Sequence, residues 1–221
     1  MPLILKPMEV AIYGTSLVQG RLNTGWPARY EAWARALPSC VGPFSVFNQG
    51  KGGQNSDWGL ANVTLIADMR PTHHLIDAFD INDRALVGGV AEVSRADHIT
   101  NITAIVTAIR AARADAVIAL MTMSDVNAAG EPGRPDLAGG YDDTIALAAT
   151  LGTDIIDNYG GTAPWGTFGG GWPHPGPDAL YQIDPTTGLP DGLHPIASAV
   201  DQYMTPNLMA WTAAKQAAFW A

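Results

Sequence analysis

Residues 9–20, EVAIYGTSLVQG, decide how this chain folds. The first half is a short apolar run typical of a buried strand, and it leads directly into a turn flanked by glycines. A helical pattern follows in residues 26–37, WPARYEAWARAL. A buried strand followed by a turn and an amphipathic helix is the repeating unit of a parallel sheet. The first forty residues therefore predict one strand–helix unit of an α/β fold.

The same alternation continues along the chain. Apolar runs rich in Val, Ile and Phe predict four more strands, in residues 44–47, 73–79, 116–123 and 153–159. Amphipathic stretches predict four further helices. The first runs from a cap at Ser56 or Asp57 through residues 60–69, and the second from Ser94 along an apolar stripe to Ile109. The others lie in residues 142–151, ended by Gly152, and in residues 195–220, with a break at Pro206. We therefore expect an α/β protein with a three-layer α/β/α, flavodoxin-like architecture, in which helices cover both faces of a five-stranded parallel sheet.

Length and composition fit one globular domain. The chain has 221 residues, of which 47% are hydrophobic and 15% charged, and this composition excludes a disordered or coiled-coil protein. A usual domain has about 150 residues, and no repeat or linker interrupts the pattern, so we expect residues 1–221 to form a single domain. Cys40 is the only cysteine, which excludes a disulfide within the chain.

Charge and hydropathy restrict the partners. With 21 acidic and 12 basic side chains the net charge is −9, which repels nucleic acid and anionic membrane surfaces. No segment reaches the roughly 18 apolar residues of a membrane span, and the start lacks the pattern of a secretory signal. We expect a cytoplasmic protein without nucleic-acid or membrane partners, although a secreted protein whose signal had been removed would have the same sequence. The oligomeric state cannot be predicted from these features.

Polar residues that could carry chemistry follow the predicted strands, where open α/β sheets bind their ligands. Ser16 follows the first strand on a tight turn between Gly14 and Gly20. It could expose a nucleophilic hydroxyl or simply cap the next helix. The glycine-rich residues 48–56 follow the second strand and could turn backbone N–H groups toward an anion or serve only as a flexible turn. They lack the GKS or GKT sequence of a phosphate-binding loop.

Two further groups fall at the same predicted edge. Asn82 follows the third strand and could donate to an oxyanion or form an Asx turn. Asp191 and His194 stand three positions apart before the last predicted helix, where an acid–base pair, metal ligands and a helix cap are all open interpretations. Because a serine, a glycine turn, an amide and an acid–imidazole pair meet at one edge, their coincidence favours nucleophilic catalysis.

These residues resemble the sequence blocks of the SGNH hydrolases, the GDSL esterase and lipase superfamily. Gly14-Thr15-Ser16-Leu17 corresponds to the Gly-Asp-Ser-Leu block, residues 48–53 to the block of an Asn and glycines, Asp80-Ile81-Asn82-Asp83 to Gly-x-Asn-Asp, and residues 191–195 to Asp-x-x-His-Pro. The resemblance extends from residue 9 to about residue 210, which is nearly the whole chain.

The resemblance implies roles for the individual residues. Ser16 would be the nucleophile, His194 the base and Asp191 the group that orients the base. The oxyanion hole would consist of the backbone N–H groups of Ser16 and Gly53 and the side chain of Asn82. The spacing within the second block leaves Gly52 as the alternative to Gly53.

The implied activity is that of a serine esterase without metal or cofactor. We expect it to hydrolyse small acyl esters, above all acetyl esters of carbohydrates, through an acyl-enzyme. Transfer of the acyl group to an alcohol is a possible side or main reaction. The alternatives are a lipase or thioesterase for longer acyl chains and a non-catalytic carbohydrate-binding module that keeps the fold.

Two positions depart from the family blocks. Thr15 stands where the first block has an Asp, which changes the hydrogen bonds of the turn. Asp80 stands where the third block has a Gly, and its charge would oppose an oxyanion unless it is paired or protonated.

Other residues with functional side chains have weaker claims. His73 and His74 alternate at the amino end of a strand, so we expect structural roles for both. Cys40 is expected to be a free, partly buried thiol. His174 competes for the role of base, but it has no acid three positions before it, and we expect it to contact substrate at most. Asp125 could line a pocket or cap a turn.

Residues 160–190 are expected to form a long loop near the active site, since their periodicity stops. This segment is rich in aromatic residues among glycines and prolines: Trp165, Phe168, Trp172 and Tyr181. Such side chains could form a small hydrophobic core that holds the loop down, or a lid or surface on which a sugar stacks.

Overall fold

Five parallel strands form the central sheet of this computed structural model, which describes residues 5–20, 26–160 and 172–221. They are β1 (Met8–Gly14), β2 (Phe44–Gly50), β3 (His73–Asp77), β6 (Val117–Thr122) and β7 (Asp154–Asp157), while β4 (Leu86–Val87) and β5 (Val90–Ala91) form a small separate hairpin. The strand order is β2-β1-β3-β6-β7, and every pairing in this sheet is parallel. The predicted sheet is confirmed.

The order of the strands fixes where a ligand would bind. The chain winds outward from β1 to β2 on one side and from β3 through β6 to β7 on the other. The direction therefore reverses between β1 and β3. In open α/β sheets, the crevice outside the carboxyl ends of the strands at such a reversal is the usual ligand site.

Helices cover both faces of the sheet, as predicted. Their bounds are α1 (Ser16–Gln19), α2 (Trp26–Arg35), α3 (Ser56–Ala61), α4 (Thr64–Ala67), α5 (Asp80–Asp83), α6 (Arg95–Ala112), α7 (Leu137–Leu151), α8 (Ala197–Ala199) and α9 (Thr205–Phe219). Successive strand residues point to opposite faces. Ile12 and Leu75 accordingly pack in a core with α2 and α9, whereas Tyr13 and Ile76 pack in a second core with α3, α4 and α6.

Two helix ends that the sequence predicted from a capping residue are confirmed. The Ser94 side chain accepts a hydrogen bond from the Asp97 N–H at the start of α6, at 3.1 Å. Gly152 ends α7 with a φ of +60°, a left-handed conformation that glycine adopts without steric cost. The helix predicted to run from a cap at Ser56 or Asp57 through residues 60–69 is instead divided between α3 and α4. Its cap is Asn55, whose side chain accepts the Trp58 N–H at 3.1 Å.

The C-terminal helix begins at Ala197, later than the start at Pro195 that the sequence predicts. Residues up to Pro195 belong to a strand, β9 (Pro190–Pro195), which pairs antiparallel with β8 (Tyr181–Ile183). Helix begins at Ala197, continues through a π turn at Val200–Met204 and ends with α9. Pro206 lies in the first turn of α9, where the backbone N–H that proline lacks would have no helical partner, so it starts this helix rather than breaking it.

The segment predicted as a long loop contains β8 and a short 3-10 turn at Asp178–Leu180. Trp172 and Tyr181 are buried in the core, where the Trp172 ring also packs edge-on against Tyr203. Of the two interpretations of these aromatic residues, the hydrophobic core is therefore confirmed for this pair. Trp165 and Phe168 lie outside the described residues. Over the described part of the chain, no helix is long and apolar enough to cross a membrane.

Candidate active site

Ser16 lies at the carboxyl end of β1, as the first residue of α1. Thr15, not Ser16, caps this helix, because the Thr15 hydroxyl accepts a hydrogen bond from the Leu17 N–H at 3.3 Å. The Ser16 hydroxyl instead lies 2.9 Å from Nε2 of His194. The capping interpretation of Ser16 is thus wrong, and its hydroxyl is available for chemistry.

Asp77 explains why Thr15 can stand where the family block has an Asp. This carboxylate, at the end of β3, accepts hydrogen bonds from the Thr15 hydroxyl at 2.5 Å, the Thr15 N–H at 3.0 Å and the Phe79 N–H at 3.1 Å. Burial raises the pKa of Asp77 to about 6, against the effect of these hydrogen bonds. A carboxylate therefore still stabilises the turn that carries Ser16, but it comes from the neighbouring strand.

Asp191 and His194 lie together on β9. Oδ2 of Asp191 is 2.7 Å from Nδ1 of His194, and Oδ1 of Asp191 accepts the backbone N–H groups of Leu193 and His194 at 3.0 and 2.8 Å. A carboxylate beside Nδ1 favours the proton on that nitrogen, which leaves Nε2 as an acceptor facing Ser16. The structure thus brings the three side chains into one hydrogen-bonded line.

A metal-binding interpretation of Asp191 and His194 finds no third ligand. In residues 5–20, 26–160 and 172–221 no three His, Cys, Asp or Glu side chains are arranged to hold a metal ion. The helix-cap interpretation is also wrong, because the N–H groups that Asp191 accepts belong to β9 itself.

The glycine-rich turn after β2 lies against the Ser16 turn. The N–H of Gly52 donates to Oε1 of Gln19 at 2.8 Å, so this donor is already engaged. Gly53 has a φ of +70°, and its N–H donates no hydrogen bond within the described residues. Between the two candidates that the sequence left, this arrangement favours Gly53 as the donor available to an oxyanion.

Asn82 lies on α5, and its side chain is linked to the same turn. Its Nδ2 donates to the carbonyl of Gln54 at 2.6 Å, which fixes the orientation of the amide and leaves its second N–H uncommitted. The Asx-turn interpretation is wrong, because the side chain bonds to a residue 28 positions earlier rather than to its own turn.

Asp80 belongs to a buried polar network beneath Asn82. Its Oδ2 accepts the Thr144 hydroxyl at 2.7 Å, and its Oδ1 lies 3.4 Å from Nε2 of His98. The other ring nitrogen of His98 lies 2.7 Å from Oδ2 of Asp83, and Oδ1 of Asp83 accepts the Ser56 N–H at 2.8 Å. All of these side chains are buried.

The electrostatics of this network explain how the site tolerates Asp80. Burial raises the pKa of Asp80 to about 6, against His98 and Thr144, which lower it. Burial also opposes a charged His98, but Asp80 and Asp83 outweigh it, so the pKa of His98 is raised. The protonated His98 ring lies between the carboxylates of Asp80 and Asp83. The charge of Asp80 is then paired, and a paired carboxylate at this position does not oppose an oxyanion.

Sequence reasoning missed His98 and Asp77 as members of the site. His98 lies one turn before Ile102 on the apolar stripe of α6, and a titratable residue on a buried face needs a partner. The position of His98 on this stripe therefore indicated a buried polar partner. His73 and His74 are buried at the start of β3, away from the carboxyl edge, which agrees with the structural roles expected for them. Cys40 is partly buried, and burial raises the pKa of its thiol.

His174 and Asp125 form a pair apart from Ser16. Nδ1 of His174 lies 3.0 Å from Oδ2 of Asp125, and the ring packs against Tyr159 with a centroid distance of 4.0 Å and an interplanar angle of 47°. His174 thus has an acid partner from a distant part of the chain, although none precedes it by three residues.

A narrow crevice lies behind Ser16. Its apolar walls are Leu17, Trp26, Met123, Val200 and Met204, together with Pro195, and it leaves no room for a water molecule. A group bound next to the Ser16 hydroxyl would therefore meet a closely packed apolar wall.

Comparison with known proteins identifies the fold. No protein-family profile and no curated protein sequence matches the chain. Solved structures do match. A lipase/acylhydrolase from Enterococcus faecalis is 18% identical with a TM-score of 0.68, covering 94% of this chain and 96% of its own. An acetyl-xylooligosaccharide esterase from Geobacillus, solved as a mutant, is 15% identical with a TM-score of 0.64, covering 97% and 95%.

A GDSL-like lipase from Bacteroides thetaiotaomicron is 12% identical with a TM-score of 0.60, covering 94% of this chain and 88% of its own. At these identities the likeness establishes the fold. The chain has the three-layer fold of the SGNH hydrolases, which confirms the architecture that the sequence blocks implied.

Proposed function

We propose that this chain is a carboxylic ester hydrolase that works through a serine nucleophile and an acyl-enzyme. The observation that carries the proposal is the hydrogen-bonded line from Ser16 through His194 to Asp191, with distances of 2.9 and 2.7 Å. A serine hydroxyl is a weak nucleophile at neutral pH and needs a base that is itself oriented by a third group. This line supplies both.

In the first half-reaction, the Ser16 oxygen attacks the ester carbonyl while Nε2 of His194 takes the hydroxyl proton. The tetrahedral oxyanion would be received by the N–H groups of Ser16 and Gly53 and by the free N–H of the Asn82 side chain. His194 then gives the proton to the leaving alcohol, and the carbonyl–oxygen bond to that alcohol breaks. Asp191 stabilises the imidazolium throughout.

In the second half-reaction, water attacks the acyl-enzyme after losing a proton to His194, and the acid leaves as Ser16 regains its proton. An alcohol can take the place of water in this step. Acyl transfer therefore follows from the same geometry, and the ratio of the two products depends on which acceptor reaches the acyl-enzyme.

Small acyl groups fit the site best. The crevice behind Ser16 has apolar walls and no space for even a water molecule. Any acyl group that enters must displace packed side chains, and each further methylene of a longer chain adds to that displacement, so the shortest acyl group costs least. This supports acetyl esters over the long-chain substrates of a lipase or thioesterase.

We further propose that the alcohol part of the ester is a carbohydrate. One protein of the same fold is named as an acetyl-xylooligosaccharide esterase. The burial of Trp172 and Tyr181 removes these two rings as sugar-stacking surfaces. A bound sugar would therefore have to contact another surface at the same edge of the sheet.

Turnover of p-nitrophenyl acetate by wild type, Ser16→Ala and His194→Ala tests the proposal. We expect each substitution to lower kcat by at least about a thousandfold, because the nucleophile and its base act as a unit. Ser39→Ala is the matched control, since Ser39 is a partly buried serine whose hydroxyl bonds to Gln216. Equal activity of Ser16→Ala and Ser39→Ala would favour the non-catalytic binding module.

A further inference from the structure

A cavity of about 530 Å³ lies at the carboxyl edge of the sheet, beside β6 and β7. Three prolines and the aromatic ring of Tyr159 form much of its wall. The charged and polar side chains that line it are Asp125, Glu131, Arg134 and His174. The residues of the Ser16–His194–Asp191 line do not line it.

The wall of this cavity is in contact with the proposed catalytic site on two sides. Nε of Arg134 donates to the carbonyl of Ile81, next to Asn82, at 2.6 Å. The N–H of Asn127 donates to the carbonyl of Gly192, between Asp191 and His194, at 3.1 Å. The segment that forms the wall therefore joins the proposed oxyanion donor to the proposed acid–base pair.

The polar groups of the cavity are held in place by the protein around them. Asp125 is buried; its Oδ1 accepts the Val126 N–H at 2.8 Å and its Oδ2 lies 3.0 Å from Nδ1 of His174. The Tyr181 hydroxyl fixes the Asp125 carbonyl at 2.8 Å. With Nδ1 of His174 on the carboxylate, its Nε2 remains as an acceptor.

Two charged side chains contribute groups without a protein partner. Across the described residues, the Glu131 carboxylate makes no side-chain hydrogen bond or ion pair, and the Arg134 guanidinium donates from Nε alone. The cavity thus offers donors from Arg134 and acceptors from Glu131 and His174. The Asp125 carboxylate is already engaged by the Val126 N–H and His174, and the remaining charges of Glu131 and Arg134 are opposite. A ligand of either charge would therefore meet a like charge, whereas hydroxyl groups can both donate and accept.

An apolar chain would be a poor occupant of this cavity. It would remove the Glu131 and Arg134 charges from water without offering them a hydrogen bond, which is costly. A ring with several hydroxyl groups satisfies these charges and also presents C–H groups to the proline and Tyr159 surfaces. The chemistry of the walls therefore matches a sugar.

We propose that this cavity is the subsite for the alcohol part of the ester, that it takes an uncharged sugar ring, and that Glu131 and Arg134 determine this specificity. The proposal rests on the proposed ester hydrolase, because it makes the sugar the leaving group of that reaction. It adds residues that neither the sequence blocks nor the catalytic line identifies.

The test measures binding rather than turnover, so that it does not depend on catalysis. Ser16→Ala protein is titrated with a mono-O-acetylated methyl xyloside, and the dissociation constant is measured by calorimetry. Adding Glu131→Gln should raise Kd about tenfold, because one charged hydrogen bond is lost. Asp115→Asn is the control, since Asp115 is an exposed carboxylate near the amino end of β6.

A second variant tests the cavity without changing its charges. Ala138→Trp places a large ring in the cavity from an exposed position on α7 and should abolish sugar binding. Binding that is equal in all variants, or absent from Ser16→Ala itself, would overturn the subsite. Hydrolysis of p-nitrophenyl acetate by wild type separates the two proposals. Variant-sensitive sugar binding without that hydrolysis would locate a sugar site in this cavity but reject both the ester hydrolase and the role of the sugar as its leaving group.

Discussion

Asp77 shows how much of this site depends on single buried side chains. Its carboxylate accepts two hydrogen bonds from Thr15, the residue before Ser16, and one from Phe79, which has a φ of +67°. A non-glycine residue in this conformation is strained. The same carboxylate thus holds both the turn that carries Ser16 and the entry to the turn that carries Asn82.

Asp77→Asn should lower both stability and activity. The amide has one acceptor oxygen, so either the Thr15 or the Phe79 donors lose their partner, at a cost of roughly 1–3 kcal/mol. We expect kcat for p-nitrophenyl acetate to fall about ten- to a hundredfold, because the Ser16 turn shifts. Urea unfolding and steady-state kinetics measure the two effects.

Asp157→Asn is the matched control for this change. Asp157 is also a buried carboxylate at a strand end, where it accepts the Thr122 hydroxyl and the Gly160 N–H. Both bonds use Oδ1, which the amide retains, so Asp157→Asn should lose less stability than Asp77→Asn and leave kcat unchanged. If both variants kept full kcat, Asp77 would have no part in positioning Ser16.

Asp80 and His98 should show a coupling that depends on pH. The pKa of Asp80 is raised to about 6, so Asp80 is ionised above that pH, and the raised pKa of His98 keeps its imidazolium above pH 6.5. A raised folded pKa of His98 means that its stabilising contribution is complete below the ordinary pKa of about 6.5 and is lost as pH rises through the folded value. The attraction is therefore strongest between about pH 6, where Asp80 ionises, and the raised pKa of His98.

A double-mutant cycle of Asp80→Asn and His98→Gln measures this coupling from unfolding free energies. We expect a coupling of roughly 1–3 kcal/mol at pH 6.5 and a smaller value at pH 9. A coupling that was zero at pH 6.5, or that grew with pH, would show that Asp80 is not balanced by an imidazolium.

The sequence predicted the residues of the site that lie in compact local blocks, but not those that act across the fold. Asp191 and His194 stand three positions apart, so their pairing is visible in the chain. Thr15 and Asp77 are 62 positions apart, and His98 and Thr144 are 46. Such pairs depend on strand order and helix packing, which periodicity alone does not specify.

At the scale of elements, β9 is the part of the fold that most directly positions the proposed base. It carries Asp191 and His194 and pairs with β8, but the sequence suggested that helix began at Pro195. The strands of the central sheet and the longer helices that cover it were predictable, because their apolar patterns extend over many residues. A strand of six residues with two prolines and a glycine has no such period.

Gly192→Ala should disturb β9 and lower kcat. Gly192 has a φ of +68°, and a Cβ there would lie 2.2 Å from Oδ1 of Asn127. That oxygen cannot move freely, because it accepts the Gly130 N–H while Nδ2 of Asn127 donates to Asp178. The strand must shift instead, and His194 shifts with it.

Gly188→Ala separates this effect from backbone strain. Gly188 has a similar φ of +71°, but no atom lies within 4 Å of the position of its Cβ. We expect each alanine to cost about 1 kcal/mol of stability from its backbone conformation. Gly192→Ala should lose more than this and alone lower kcat; equal kinetics for both variants would show that the Asn127 contact does not position β9.

At the scale of the whole molecule, the sheet brings residues from opposite ends of the chain to one edge. Ser16 follows β1 and His194 lies 178 positions later, yet their side chains are hydrogen bonded. The sequence predicted this convergence correctly, because parallel strands place all their carboxyl ends on one side. The shape of the apolar crevice behind Ser16 was not predictable, since its walls come from helices, loops and the π turn.

Met204→Ala should shift the preference for acyl chain length. Met204 is buried in the π turn and lines the crevice, so its truncation opens space beside Ser16. We expect wild type to prefer p-nitrophenyl acetate over octanoate, and the variant to raise the octanoate-to-acetate ratio of kcat/KM about tenfold, since each buried methylene contributes about 0.8 kcal/mol. Met209→Ala, on the same side of the fold but outside the crevice, should leave the ratio unchanged. An unchanged ratio in Met204→Ala would show that acyl groups bind elsewhere.

Labelling with a fluorophosphonate tests the central claim most directly, because it requires no knowledge of the natural ester. The Ser16 oxygen, activated by His194, attacks phosphorus and displaces fluoride, and peptide mass spectrometry locates the adduct. We expect one adduct on the peptide that contains Ser16, formed much more slowly in His194→Ala and absent from Ser16→Ala. An unlabelled Ser16, or an adduct that persists on another residue in Ser16→Ala, would contradict it.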